Sequence, residues 1–590
     1  MKQENGKSIA RNIILSVVLI VILGFVVYGN SLSGVFLWDD NSLVTNNTSI
    51  KSWANIGRIF CGDMTVHGRG QWAFYRPLQI TTYMVDHSLW GLNPAGYHLT
   101  NIILHVAAAL CVYWLTFTIF KGHLLSFLAG AFFVIHPVHT EAVVYISGRA
   151  DSLSLFFMLL CFILYIKSRP SRNMGIFIVM LFSYVLALLS KESSLILPLL
   201  LLLYHFSSKE KVRRKEFLSL LSLTLIYALA RATFLKTVPG STSHTSTLWE
   251  RIPGFFVAIT AYIKLLFLPL DLHMEYGKEI FTFADPKTIL GIMIFLALWI
   301  YAIRRRNSNM SVFFSIAWFF LALLPVSNLY PINAFMAEHW LYLPSIGFFW
   351  ILAKAISSLY QVKRFRMMTI VFIISLGGFY SYLTVRQNMY WREPFRFYQR
   401  NLQYTPNSPR LYVNIGAIYQ SEGQEEKAIR AYKKAIEIRP DYAIAYYNLG
   451  KIYTDRHDYD TALLSYRKAV AIKPDYANAH NNLGTIYADM DRREEAKASF
   501  QEAIRLKPYY VEAYHNLGLI NKIMGRRDEA ITSFRKAIAI NPDYPYPYDS
   551  LADIYFQEKE YDLAIKYFEK AKNLGLTNYN LLKALEPYRE

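Results

Sequence analysis

Cysteine is scarce in this chain: among 590 residues only Cys61, Cys111 and Cys161 carry a thiol. Two of them fall inside apolar runs and the third has no companion, which excludes a disulfide framework. Acidic residues are thin across the first two-thirds. Residues 1–385 hold 16 Asp and Glu against 31 Lys and Arg, whereas residues 386–590 hold 27 against 31. Of the formal charge of +19, +15 therefore sits in the apolar part, in short basic connectors between long apolar runs. That placement is a membrane pattern, and it argues against nucleic acid as a partner. No small-residue cleavage site follows the first apolar segment, so the segment reads as a retained span and not a removed leader. Few ionisable residues fall at mid-span, which speaks against a transporter.

Periodicity is abundant instead. Pro406, Pro440, Pro474, Pro508 and Pro542 stand 34 residues apart. The same step relates Gly416, Gly450, Gly484 and Gly518, with Ala552 completing that series. It also relates Ala428, Ala462, Ala496, Ala530 and Ala564, and the aromatics Tyr432, Tyr466, Phe500, Phe534 and Phe568. A 34-residue helix–turn–helix unit of this kind is the tetratricopeptide repeat, whose small positions let two helices pack closely and whose proline ends the second. Five stacked units bury a core that one cannot, and they present a groove suited to a peptide or protein. The expected division is a membrane domain over 1–385, a linker over 386–406, five repeats over 407–576 and a capping helix over 577–590.

The membrane domain shows about eleven apolar runs long enough to read as spans, near 12–29, 98–120, 124–141, 152–167, 174–190, 194–207, 216–235, 287–303, 310–330, 344–361 and 367–385. The fold class is thus all-α: a polytopic helical domain followed by an α-solenoid. Lys2, Lys7 and Arg11; Lys121; Lys167, Arg169 and Arg172; Lys209 to Lys215; Arg304 to Arg306; and Lys363, Arg364 and Arg366 collect on one face if the N-terminus is cytoplasmic. An odd number of spans then places the repeats outside. The run 251–272 is read as interfacial or re-entrant, because a full crossing would carry Arg304–Arg306 outside. Of the 16 acids before residue 386, only Glu4, Glu210 and Glu216 fall on the basic side. The acidic face is the outer one, and the long outer loop 30–97 is a functional candidate.

Within that loop, Asp39 and Asp40 follow the first span. Adjacent carboxylates repel, which raises the pKa of at least one and suits it to act as a general base toward a hydroxyl. Other outer positions carry His136, His139 and Glu141, then Arg149 and Asp151, Lys191 and Glu192, and Glu338 and His339. Arg149 and Lys191 have the chemistry to hold a lipid phosphate. His136, His139 and Glu141 match zinc-ligand spacing poorly, so no cofactor is expected and a divalent metal is not favoured. Structural ion pairs among these residues are the bland alternative.

Arg76-Pro77-Leu78, Gly91-Leu92-Asn93-Pro94 through Tyr97-His98, His136 to Glu141 with Gly148-Arg149-Ala150-Asp151, Ser190-Lys191-Glu192, and Ala337-Glu338 with Leu341 to Ser345 resemble the transmembrane and tetratricopeptide-repeat O-mannosyltransferases, in the same order and over nearly the whole chain. The resemblance implies a GT-C type glycosyltransferase that moves mannose from a polyprenyl-phosphate carrier onto Ser or Thr of proteins outside the cytoplasm. It matches Asp39 and Asp40 to the acidic pair in the first outer loop. His339 stands where the family usually has Arg, beside Arg149 and Lys191 as a donor-phosphate candidate. The partners implied are the lipid-linked sugar, membrane lipid and an acceptor protein held by the repeats. A non-enzymatic repeat scaffold, or a GT-C transferase acting on a glycan or lipid, are the alternatives. The sequon Asn46-Asn47-Thr48 beside the loop and the lack of a retention tail favour a bacterial plasma membrane over the endoplasmic reticulum.

Overall fold

A computed structural model of the chain describes residues 2–61, 75–168, 173–233, 247–277, 279–329, 332 and 334–588. Arg169 and Arg172 lie outside the described residues. The described chain is helical, with no strand among the described residues, and its backbone divides into two compact units with the boundary between Pro406 and Asn407.

In the first unit, six helices are long and apolar enough to cross a membrane: Ala10–Ser33, Pro94–Phe120, Ile146–Lys167, Arg214–Thr233, Pro286–Arg305 and Lys363–Arg392. A seventh crossing results if His123–Ile135 and Pro137–Val144, bent by 52°, are one span. The expectation of about eleven is corrected. The runs at 174–190, 194–207 and 310–330 form the apolar helices Met174–Ser190, Glu192–Ser208 and Met310–Val326, and that at 344–361 forms Ser345–Gln361. Each has about 17 residues, so it reaches about 25 Å against a hydrocarbon core of about 30 Å. Six spans put both ends on one side and seven put them on opposite sides, so the span count does not itself orient the repeats.

The two ends of this helical unit nevertheless differ in charge. At one end Lys121 and Lys167 close the helices Pro94–Phe120 and Ile146–Lys167 and line a common cavity. The Arg306 guanidinium lies 4.1 Å from the Phe206 ring centroid, and Lys354 hydrogen-bonds Ser311 at the same end. At the other end, the start of Pro94–Phe120 meets Arg149, which donates to the Tyr97 carbonyl at 2.9 Å. The 27-residue helix between them is about 40 Å long. The segment 386–406, expected as a linker, is helical: the Arg366–Arg392 helix runs through its first part and Pro394–Tyr404 follows. Asn401 accepts from the Met274 and Glu275 N–H groups, so this segment belongs to the packing of the first unit.

The second unit is five helix pairs, from Pro409–Ser421 with Glu425–Ile438 to Tyr546–Gln557 with Tyr561–Asn573, then the short helix Tyr579–Leu585. The repeating glycines and aromatics are two halves of one contact. A Cβ on Gly416 would lie 2.5 Å from the Tyr432 ring, and one on Gly484 2.6 Å from the Phe500 ring. At the four repeating glycine positions glycine lets the first helix approach the aromatic ring of its partner, and the fifth repeat has Ala552 in that place. The repeating alanines are fully buried. In three of the four neighbouring pairs of repeats the first helices approach one another more closely than the second helices do, which puts the first helices on the inside of the solenoid's curve.

Candidate functional site

The first span ends at Ser33, and five residues later Trp38 sits in the left-handed region at φ 55°. A non-glycine residue rarely adopts it. Here it directs the indole against Phe397 and Tyr398, at 6.3 and 5.8 Å. The acidic pair follows. Asp40 is 1% exposed. Its carboxylate accepts from the Leu37 N–H at 3.0 Å, the Ser147 N–H at 2.8 Å and the Ser147 hydroxyl at 2.5 Å. Burial pushes the Asp40 carboxyl up to about 7; the Leu37 and Ser147 donors oppose that push and the neighbouring Asp39 charge adds to it. Asp39 is half-buried, and its N–H donates to the Tyr145 hydroxyl at 3.1 Å. The two acids therefore differ: Asp40 ties the turn to the start of the Ile146–Lys167 helix, and Asp39 is the more exposed of the two.

Arg149 occupies the core. It is fully buried, pairs with Asp86 at 2.5 Å, and donates to Asn101 at 2.6 Å, Tyr97 O at 2.9 Å and Thr82 at 3.2 Å. Its guanidinium also stacks 4.7 Å from the Tyr83 ring. The expectation that it holds a lipid phosphate is corrected: protein groups occupy the guanidinium on every side, and a phosphate has no approach. Lys191 is 6% exposed and pairs with Asp151 at 2.6 Å. Its neighbour Glu192 pairs with Arg76 at 2.7 Å, in a contact where the Arg76 side chain keeps 18% of its surface and that of Glu192 33%. These two ion pairs tie the Lys191-Glu192 segment to Asp151 on the Ile146–Lys167 helix and to Arg76 before the Pro77–Trp90 helix. Gln79, one helical turn past Arg76, donates to the carbonyl of Ser147, the residue that anchors Asp40.

Glu141, His339 and Glu338 form a second cluster. Glu141 accepts from the His339 N–H at 3.0 Å and bonds its ring Nδ1 at 2.8 Å. Glu338 is buried and accepts from the His273 N–H at 2.5 Å and the Tyr276 hydroxyl at 2.6 Å. Burial, then the charge of Glu141, hold its carboxyl well above the usual range. His136 and His139 lie beneath, fully buried. His136 bonds Leu266 O and the Val138 N–H, and His139 bonds Phe133 O and the Ser345 hydroxyl. Both nitrogens of each ring are thus engaged by protein, and no group of three or more His, Cys, Asp or Glu among the described residues is placed to hold a metal ion. The segment from His136 to Asp151 contributes to the acidic turn through Ser147, to the ion pairs through Arg149 and Asp151, and to this cluster through Glu141.

Two features escaped the sequence reading. Arg76 was visible only as part of a motif, and its pairing with Glu192 across 116 positions has no local signal. Asn414, Asn448, Asn482 and Asn516, in contrast, keep the 34-residue step two positions before each repeat glycine. All four are half-buried on first helices, the inner layer of the solenoid. The Asn482 amide donates to Tyr466 at 3.2 Å, and that of Asn516 to Asn481 at 3.1 Å.

Comparison with known proteins divides along the same lines. Profiles described as TPR repeat and tetratricopeptide repeat match residues 418–455, 450–491, 475–543 and 547–574. Among solved structures, the chain is similar to MamA, 34% identical over 27% of this chain and 94% of that one, with a TM-score of 0.26. Among curated proteins, it is similar to the Caenorhabditis elegans protein O-mannosyl-transferase F38B6.6, 26% identical over 72% of this chain and 62% of the relative. It is likewise similar to the Drosophila melanogaster protein O-mannosyl-transferase Tmtc1, 29% identical over 45% of this chain and 35% of the relative. The chain thus spans less than two-thirds of the length of either.

Proposed function

We propose that this chain is a membrane glycosyltransferase that moves a hexose, mannose by analogy with its relatives, from a polyprenyl-phosphate carrier onto Ser or Thr hydroxyls of a protein held by the repeats. The observation that carries the reading is the division of labour at the acidic turn, with Asp40 buried under three donors and Asp39 half-exposed beside it. An acid fixed in this way positions its neighbour, and the neighbour acts as base. The O-mannosyl transfer for which these relatives are named supports the same chemistry.

In this mechanism the Asp39 carboxylate takes the proton of the acceptor hydroxyl as the oxygen attacks the anomeric carbon. The C–O bond to phosphate breaks on the opposite face, and the configuration inverts. The leaving phosphate carries the negative charge that develops. Arg76 and Lys191, each aligned by a carboxylate and each keeping some exposed surface, take this role in place of Arg149. His339 lies on the same loop system, oriented by Glu141. The repeats raise the local concentration of an acceptor, and the series Asn414, Asn448, Asn482 and Asn516 offers amide donors and acceptors to an extended polypeptide backbone. Basic connectors on one end of the bundle support an orientation with that end cytoplasmic and the acidic turn outside.

The test is transfer of labelled sugar from defined polyprenyl-phosphate sugars to peptide by the purified full chain. Transfer lost in Asp39→Asn, with folding intact, is the expected result. Consumption of no lipid-linked sugar by the unmodified protein would turn the reading to a membrane-anchored scaffold.

A further inference from the structure

A cavity of about 710 Å³ lies at the basic end of the helical unit, remote from the acidic turn. Trp114, Phe117 and Phe314 form much of its wall, and Lys121 and Lys167 stand among the lining residues. The Lys167 ammonium lies 5.5 Å from the Trp114 ring centroid. Lys121 and Lys167 are both exposed, and neither has a carboxylate partner among the described residues. The Ser207 hydroxyl, also in the lining, is buried without a hydrogen-bond partner. Glu210 is the one acid there, and it accepts from the Tyr204 hydroxyl at 3.2 Å. An apolar, aromatic slot with two unneutralised ammonium groups and a spare hydroxyl at the end of membrane-length helices matches a ligand that is anionic at one end and hydrocarbon at the other.

We propose that this cavity binds a phosphate-bearing lipid, with the phosphate at Lys121 and Lys167 and its chain along Trp114, Phe117 and Phe314. Ammonium groups at a membrane surface attract anionic head groups, and the indole and phenyl faces receive methylene chains. The site is separated from the acidic turn by the length of the bundle helices, so it stands independently of the transfer reaction proposed above.

Full-length protein in nanodiscs with brominated phosphatidylglycerol or brominated phosphatidylcholine tests this. The Trp114 signal is the fluorescence difference between the chain and its Trp114→Phe variant. It should be quenched at a fraction of the anionic lipid on the order of tenfold lower than of the zwitterionic one. The double variant Lys121→Gln/Lys167→Gln should abolish that preference while keeping its helicity and monodispersity. Native mass spectrometry of retained phosphatidylglycerol gives the same comparison without the Trp114 variant. Equal quenching by both lipids, or a preference that survives the double variant, overturns the proposal. Equimolar polyprenyl phosphate separates the sources: relief of quenching identifies a polyprenyl phosphate as the occupant, and unchanged quenching identifies a bulk phospholipid.

Discussion

Replacing Asp40 by Asn leaves an amide NH2 facing a backbone N–H of Leu37 or Ser147, because both sides of the carboxylate accept. One buried donor loses its partner, a loss of about 1–3 kcal/mol. Replacing Asp39 by Asn leaves its backbone bond to the Tyr145 hydroxyl in place. Asp39→Asn should lose about 10²–10⁴-fold in transfer rate while keeping its helicity. Asp40→Asn should lower the melting temperature first. A normal rate in Asp39→Asn would move the base to Glu141 or Glu338. The pH response separates the pair further. The folded Asp40 pKa, raised to about 7 from 3.8, means its contribution to stability is complete below pH 3.8 and is lost as pH rises through about 7. The melting temperature should fall across pH 4–8, and the same scan on Asp40→Asn should be flatter. Arg149 makes a contrasting case. Arg149→Met strands the buried Asp86 carboxylate, a loss of about 3–5 kcal/mol. It should appear as poor folding, partly recovered by adding Asp86→Leu, and not as a raised KM for donor in well-folded protein.

The helix pair of each repeat joins sequence to packing most directly. Gly484→Val would drive a side chain into the Phe500 ring, which already lies 2.6 Å from where a Cβ would stand. Overpacking of this kind typically costs about 1–3 kcal/mol. Phe500→Leu should recover part of the loss in a double-mutant cycle read by urea denaturation, and additive losses would mean that the two positions do not touch. This contact was legible beforehand, since both partners recur every 34 residues and repetition reveals a pattern that one copy hides. The membrane helices were legible as helices but not as spans. Hydropathy alone does not tell a 17-residue helix from one that crosses, and the bend at His136–Pro137 breaks one run in two. The least legible contacts were long-range pairings. Asp40 with Ser147, Arg76 with Glu192 and Arg149 with Asp86 each join distant positions, so residue type announced a charge without saying whether it was free. Arg149 was misassigned for that reason.

For the whole molecule, the separation of charge between the two ends of the helical unit gives the sharpest test. Lys121, Lys167, Lys354 and Arg306 gather at one end, while Asp40, Glu141, Asp151 and Glu338 stand with the loops of the other. A helix of about 40 Å between them exceeds the hydrocarbon thickness, so the two groups cannot share one membrane surface. The positive-inside rule assigns the basic end to the cytoplasm. Single cysteines at Arg305 and at Lys497 report on that end and on the repeats, in a background where the exposed Cys61 is replaced by Ser. An impermeant maleimide added to intact cells should label the Lys497 site at once and the Arg305 site only after the membrane is opened. Labelling of both sites in intact cells would mean an even number of crossings between them. The acceptor would then have to be recruited on the basic side, and transfer at the acidic turn to a protein held by these repeats would be geometrically impossible.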